Sequence, residues 1–210
     1  MSLSLHGAAL STCTSRVRVV AAAAGADINL VVEDFAKVGT AEWAEFQPFN
    51  QMPYLVDEAT GFSVFESRAI AKYIARKAGS DLVPSSDDLE AYARFEQACS
   101  VEQSNFDPAA SGLAFELVFS KMHGGETDPK RVEVLKALLA KRLIGYERIL
   151  AKSKYVAGDK LTIADLFHLP YGRMVVNLGV APGLTDGSLP NVTRWWKEIS
   201  TLPVWTELMA

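Results

Sequence analysis

The stretch YLVDEATGFSVFESRAIAKYIARK, residues 54–77, decides the fold. Two short apolar runs, Tyr54–Val56 and Phe62–Phe65, flank Asp-Glu-Ala-Thr-Gly, a hairpin signal. From Glu66 to Lys77 the apolar period changes, and Ile70, Tyr73 and Ile74 fall on one face of a helix. The residues upstream supply the start of the same unit. Leu3–His6 predicts a strand. A helix follows, capped by Ser11 or a neighbouring hydroxyl residue, carrying Val17, Val19, Val20 and several alanines, and stopped by Gly25. Ile28–Val32 predicts a β-branched strand, and Phe35–Pro48 a loop with one helical turn around Trp43. The order over residues 1–78 is βαβαββα, which is mixed α/β.

Beyond it, GSDLVPSSDD (residues 79–88) is small, polar and acidic and reads as a linker. Residues 89–210 read as all helical. Leu89–Lys121 is long and periodic, and HGGETDP (residues 123–129) breaks it. Arg131–Leu150 is strongly amphipathic. Thr162 opens another helix, and Trp195, Trp196 and Ile199 belong to the last. The expected architecture is α/β plus all-α, with a small α/β domain at 1–78 and a helical domain at 89–210.

Composition narrows the function. The 210 residues are 49% hydrophobic and 22% charged with a net charge of −4, an ordinary globular balance. That charge, without a basic patch interleaved with aromatics, argues against nucleic acid. No run approaches the roughly 20 apolar residues of a membrane span, and MSLSLHGAAL lacks the basic flank of a signal peptide. Two cysteines, Cys13 and Cys99, make no disulfide framework. A reducing, cytoplasmic setting is expected.

Several residues are candidates for chemistry. Pro53, after QPFNQM, stands where a strand starts; were its peptide bond cis, the Met52 N–H and C=O would be left free for a peptide-like ligand. On position alone a strand start accounts for it. Glu66-Ser67 lies where strand turns into helix, so free N–H groups and the positive helix end favour an anion there, while the Glu can accept from an ammonium. The pair suits the two charged ends of an amino acid, and an ordinary helix cap accounts for it equally. Thr162-Ile-Ala-Asp165 fits a capping box, with Leu161 and Leu166 at the staple positions, and is structural. His6, His123 and His168 share no metal-ligand spacing, so no metal is expected. Cys99 and the Trp195-Trp196 pair read as core.

The stretch LSTCTSRVRV, residues 10–19, is harder. It has no Cys-x-x-Cys and no Gly-x-Ser-x-Gly elbow, so neither a dithiol nor a serine nucleophile is indicated. A serine at a helix start can instead donate to a thiolate brought by a cosubstrate.

Taken together, LSTCTSRV, QPFNQMP, FESRAIAKYIA, AGDKLTIADLFHLP and NVTRWWKEIS resemble the cytosolic glutathione transferases in order and spacing, across essentially the whole chain. FESRAI, ADLFHLP and RWW are most similar to the phi class. The resemblance implies a thioredoxin-like N-terminal domain that binds glutathione, a helical domain that supplies most of the electrophile pocket, and a homodimer. It implies that Ser11 is catalytic. Gln51, the Met52 backbone and a cis Pro53 would hold the cysteinyl part of glutathione, and Glu66 and Ser67 its γ-glutamyl end. Arg68 would lie near the dimer interface, and Thr12, Phe35, Phe115 and Phe119 would line the electrophile pocket. Its partners would be small hydrophobic electrophiles.

Two departures bear on glutathione affinity and not on the fold. GTAEWAEFQ, residues 39–47, is short and lacks the His-Lys pair that in the phi class holds the glycyl carboxylate, with Lys37 a candidate replacement. Asn50 stands where the class has glycine. The stretch STCTSRVRV also resembles the zeta class, which makes glutathione-dependent isomerisation, or thiol transfer through Cys13, the enzymatic alternative. Reuse of the fold as a non-catalytic ligand carrier is the other.

Overall fold

The computed structural model describes residues 2–210, which divide into two compact units: the residues up to 83 with 207–210, and 84–206. The boundary falls between Val83 and Pro84.

In the first unit, β1 (Leu3–Gly7), α1 (Thr12–Ala23) and β2 (Asn29–Val32) form a parallel β-α-β unit. A 3₁₀ turn (Phe35–Lys37) and α2 (Ala41–Phe46) follow. Then come the hairpin β3 (Tyr54–Asp57) and β4 (Phe62–Phe65) and the closing helix α3 (Ser67–Lys77). The sheet order is β2-β1-β3-β4, with β3 antiparallel to both of its neighbours. Leu5 sits at the centre, in register with Leu30 on one side and Leu55 on the other. Around it pack Leu3, Val17, Ala21, Leu55, Ile70 and Ile74, which joins α1 and α3 over the sheet. Each fully buried aliphatic side chain there stabilises by roughly 1.5–3 kcal/mol. The one helical turn expected around Trp43 is the six-residue helix α2, capped by the Thr40 hydroxyl on the Trp43 N–H.

The second unit contains α4 (Leu89–Val101), α5 (Asp107–Ala114), α6 (Ser120–Met122), α7 (Pro129–Leu150), α8 (Ile163–Leu166), α9 (Leu169–Asn177) and α10 (Pro190–Ser200). A last helix, α11, spans Pro203–Leu208. Two π-helical turns, Glu102–Phe106 and Phe115–Phe119, interrupt the long segment that periodicity reads as one helix. Phe106, Tyr146, His168 and Trp195 form the buried aromatic centre. His168 is polar yet satisfied, with Nε2 against the Tyr146 hydroxyl and Nδ1 against the Ala164 carbonyl, both at 2.9 Å. Asp165 anchors the start of α8. It accepts from the Thr162 N–H at 3.0 Å, the Thr162 hydroxyl at 3.1 Å, the Val156 N–H at 3.0 Å and Trp195 Nε1 at 2.9 Å. Among the described residues no helix is long and apolar enough to cross a membrane, and no group of His, Cys, Asp and Glu has the arrangement of a metal site.

Candidate active site

Ser11 is the N-cap of α1. Its extended backbone (φ −65°, ψ 130°) ends the loop from β1, and its Oγ accepts from the Thr14 N–H at 3.3 Å. The oxygen's acceptor capacity thus closes the cap while its O–H remains a donor. The first-turn amides of this twelve-residue helix add the positive end of its dipole. Ser11, Thr12 and Cys13 are all half-buried, so this helix start is reachable from solvent. Leu10, just before it, is 96% exposed.

Behind them lies Arg16, one turn along and 0% exposed. Its Nη1 donates to Cys13 Sγ at 3.4 Å and to Ser67 Oγ at 2.9 Å. One guanidinium therefore ties the start of α1 to the start of α3. The RVRVV run at 16–20 hid this: Arg16 shares its helix with the core residue Val17, yet reads from sequence as a surface charge.

Glu66 is the N-cap of α3 with φ +69° and ψ 109°, a left-handed conformation costly for a residue with a side chain. Its own side chain makes no cap hydrogen bond. The exposed Glu66 carboxylate and the first amides of α3 thus lie side by side, the pairing expected for an amino acid's ammonium and carboxylate. Ser67 is buried and its hydroxyl oxygen accepts from Arg16.

The segment between α2 and β3 completes the surface. Met52–Pro53 is a cis peptide bond. Among the described residues no group hydrogen-bonds the Met52 N–H or C=O. Trp43, buried on α2, donates from Nε1 to the Gln51 carbonyl at 3.2 Å and meets Tyr54 edge-on. The buried Gln47 side chain accepts from the Phe49 N–H at 2.8 Å. Asn50 has φ +55°, a region asparagine enters more readily than most residues.

Gly7, at the end of β1, is where two of these segments meet. A Cβ there would stand 2.6 Å from Thr14 Oγ1 and 3.2 Å from Pro53 Cβ. Only glycine lets α1 and the Pro53 segment approach β1 this closely. Nothing in the sequence alone marks it.

The remaining candidates are placed as follows. Lys37 is exposed and pairs with Glu33 at 2.8 Å. Glu33 also accepts from His6 at 2.8 Å, and these two bonds, His6 first, hold its carboxyl below the usual carboxylate range. Phe35 is 65% exposed in the first unit; in the helical unit Phe115 is exposed and Phe119 half-buried, both within the second π turn.

Comparison with known proteins gives the family. Residues 1–76 match the family described as glutathione S-transferase, N-terminal domain, and residues 106–203 the corresponding C-terminal domain. Glutathione S-transferase PM239X14 of Arabidopsis thaliana is 46% identical over 201 residues, 93% of this chain and 90% of that protein. The crystal structure of glutathione transferase F7 from Populus trichocarpa superposes with a TM-score of 0.91 at 32% identity, covering 99% of this chain and 97% of that one. Glutathione S-transferase I from maize, solved with an atrazine glutathione conjugate, gives 0.88 at 32% identity over 98% and 95% of the two chains. The chain therefore belongs to the glutathione S-transferase family, among its phi-class members.

Proposed function

We propose that this protein conjugates glutathione to small hydrophobic electrophiles and that Ser11 holds the reacting thiolate. The observation that carries this reading is Ser11 at the N-cap of α1, half-buried, its oxygen accepting from Thr14 and its O–H given no acceptor among the described residues. The thiolate is the nucleophile, and an ordinary cysteine thiol with a pKa of about 8.5 is only a few per cent ionised at neutral pH. Lowering that pKa by about two units requires roughly 2.7 kcal/mol. A hydrogen bond to a charged group contributes about 1.5–3 kcal/mol, and a helix terminus about 0.3–1 kcal/mol. Together they suffice without a general base. The thiol proton leaves to solvent, sulfur attacks the electrophilic carbon, and the leaving group departs with its electron pair.

The glutathione peptide is held by backbone and charge. The unpaired Met52 amide and carbonyl match the cysteinyl unit, beside Gln51 and Pro53, and Glu66 with the start of α3 matches the γ-glutamyl end. Leu10 offers apolar surface next to Ser11; Thr12, Phe35, Phe115 and Phe119 remain candidates for contact with the electrophile, each testable by substitution. The protein is proposed to act in the cytoplasm, in detoxification, as a homodimer. Light scattering at micromolar concentration tests the assembly.

Glutathione-dependent thiol transfer through Cys13 is a second reading, favoured by one observation: an arginine N–H already points at the Cys13 sulfur. For the main reading, Glu66→Ala and Ser67→Ala should raise KM for glutathione far more than they lower kcat. Unchanged glutathione affinity by calorimetry in both variants overturns the binding assignment.

A further inference from the structure

We propose that Glu116 is a positioning residue for electrophile selectivity: its buried carboxylate grips Arg131 and the Asp128 N–H, and so holds the π turn that presents Phe115 and Phe119. This rests on the function proposed above, in which those two phenylalanines contact the electrophile.

Glu116 interrupts an apolar run, AFELVF (residues 114–119), yet only 5% of it is exposed. Burying a charge is costly unless it is paired and hydrogen-bonded. Here both oxygens are engaged. Oε1 lies 2.9 Å from Arg131 Nε, and Oε2 accepts from the Asp128 N–H at 3.1 Å. The main chain of Glu116 is held from the same side, its carbonyl accepting from the Thr127 hydroxyl at 2.8 Å. Asp128 in turn caps α7, accepting from the Lys130 N–H at 2.9 Å and the Arg131 N–H at 3.3 Å. The π turn is thus fastened to the start of α7 by a side chain and by backbone.

Its far end is fastened too. The Ser120 hydroxyl donates to the Glu126 carbonyl at 3.2 Å, and the Gly125 N–H donates to the Ser120 carbonyl at 2.8 Å. A Cβ at Gly125 would stand 2.6 Å from Ser120 Oγ, so glycine is what lets the connection lie this close.

What the clamp steadies is an apolar face. Phe115, Phe119 and Met122 are spaced i, i+4, i+7; Phe115 and Met122 are exposed and Phe119 is half-buried. Large apolar side chains grouped in this way mark a surface that meets an apolar partner. The π turn is a rare geometry that recurs at functional sites, and its wider winding sets where the side chains on it point. Glu116 is next to Phe115 in the chain, so a shift of its backbone moves that ring directly.

The test compares two electrophiles with one reactive group, phenethyl isothiocyanate and allyl isothiocyanate, using the full-length protein. The glutathione thiolate adds to the central carbon of each and the nitrogen takes up a proton, so only the aryl arm distinguishes them. Glu116→Gln keeps an acceptor for the Asp128 N–H and loses the charge that holds Arg131. Arg131→Gln removes the partner, whose side chain is 61% exposed. Each should lower the ratio of kcat/KM for the phenethyl over the allyl compound by at least about fivefold, through KM for the phenethyl compound, and leave KM for glutathione unchanged. Arg131→Lys should keep the ratio within about twofold of the wild type, because a single contact to the carboxylate does not need the guanidinium fork. Equal losses with both electrophiles, or a raised KM for glutathione, would reduce Glu116 to a stability residue and overturn the proposal. An unchanged ratio in Arg131→Gln overturns it whether or not Glu116→Gln folds. Phe115→Ala combined with Phe119→Ala tells the two levels apart. If that pair leaves the ratio unchanged, the phenylalanines do not meet the electrophile and the contact itself is wrong. If that pair lowers the ratio and Arg131→Gln does not, the positioning role of Glu116 fails alone.

Discussion

The Arg16 guanidinium donates to the Ser67 hydroxyl at 2.9 Å, fifty-one residues away in sequence and buried at both ends. It joins the helix that carries Ser11 to the helix that Glu66 caps. Hydrogen bonds from a charged donor are worth about 1.5–3 kcal/mol each, and Arg16 makes one to Ser67 and another to Cys13. Arg16→Met should therefore cost at least about 3 kcal/mol, which lowers Tm by roughly 6–12 °C in a chain of this size. Arg16→Lys keeps the charge but loses the fork that serves two acceptors. It should fold and show a KM for glutathione raised more than kcat is lowered. An unchanged Tm in Arg16→Met would show that the bridge contributes nothing.

Most of the architecture is legible in sequence because it rests on local patterns. The hairpin at 54–65, the caps at Ser11 and Thr162 and the apolar face of α3 all announce themselves within a dozen residues. Arg16 does not, because burial of a charge depends on a partner far along the chain. Nor does Trp43, whose indole holds the Gln51 carbonyl across a turn that no periodicity describes. The π turns at 102–106 and 115–119 were hidden for a different reason: each shifts the helical phase but leaves the surrounding residues apolar. Ser67 takes the Arg16 hydrogen bond on its oxygen and keeps its O–H as a donor, a long-range partnership that nothing local announces.

Thr14 Oγ1 is fully buried and has no hydrogen-bond partner among the described residues. An unmet buried hydroxyl costs about 1–3 kcal/mol, and replacing it by a methyl of the same shape removes that cost. Thr14→Val should raise Tm by roughly 2–4 °C per kcal/mol recovered. Gly7→Ala should do the opposite, because its Cβ would lie 2.6 Å from that same oxygen; crowding of this kind costs about 1–3 kcal/mol. The two sites are coupled, so Gly7→Ala combined with Thr14→Ala should be more stable than the sum of the single changes. Strict additivity in the double-mutant cycle would refute the contact.

Asp57, buried at the end of β3, accepts from Lys77 and from the Tyr73 hydroxyl, both on α3. The Lys77 bond first, then that of Tyr73, holds its carboxyl below the usual range, and the same contact holds the Lys77 ammonium above its own. A carboxyl depressed in the folded state gives stability that is complete above the unfolded value of about 3.9 and is lost as pH falls through the folded one. A raised lysine gives stability complete below about 10.4 and lost as pH rises through its higher folded value. The pair is therefore whole between about pH 4 and about pH 10. Urea midpoints should fall below pH 4 more steeply in the wild type than in Asp57→Asn. Parallel curves would remove Asp57 from the acid transition.

The last prediction separates the proposed chemistry from its rivals at two neighbouring positions. With Ser11 donating to the thiolate, Ser11→Ala should raise the pKa of bound glutathione and slow conjugation by one or more orders of magnitude, since the lost bond is worth about 1.5–3 kcal/mol and each 1.4 kcal/mol is a factor of ten. Glutathione affinity should change little, because one hydroxyl is a small part of a tripeptide's contacts. Cys13→Ser should leave conjugation nearly intact. Thiol transfer through Cys13 requires the reverse. Its sulfur would attack oxidised glutathione, form a mixed disulfide visible by mass spectrometry and release one glutathione, so Cys13→Ser would be dead and Ser11→Ala tolerated. A zeta-like isomerase would suffer at both positions and turn over maleylacetone. A serine that only caps α1, through its contact with the Thr14 N–H at 3.3 Å, would cost about 1 kcal/mol of stability and leave the kinetics alone. Thiolate absorbance against pH, measured for the wild type and both variants with glutathione bound, distinguishes these cases. An undisturbed thiol pKa in Ser11→Ala would sink the proposed mechanism, because no other side chain on α1 has been given that role.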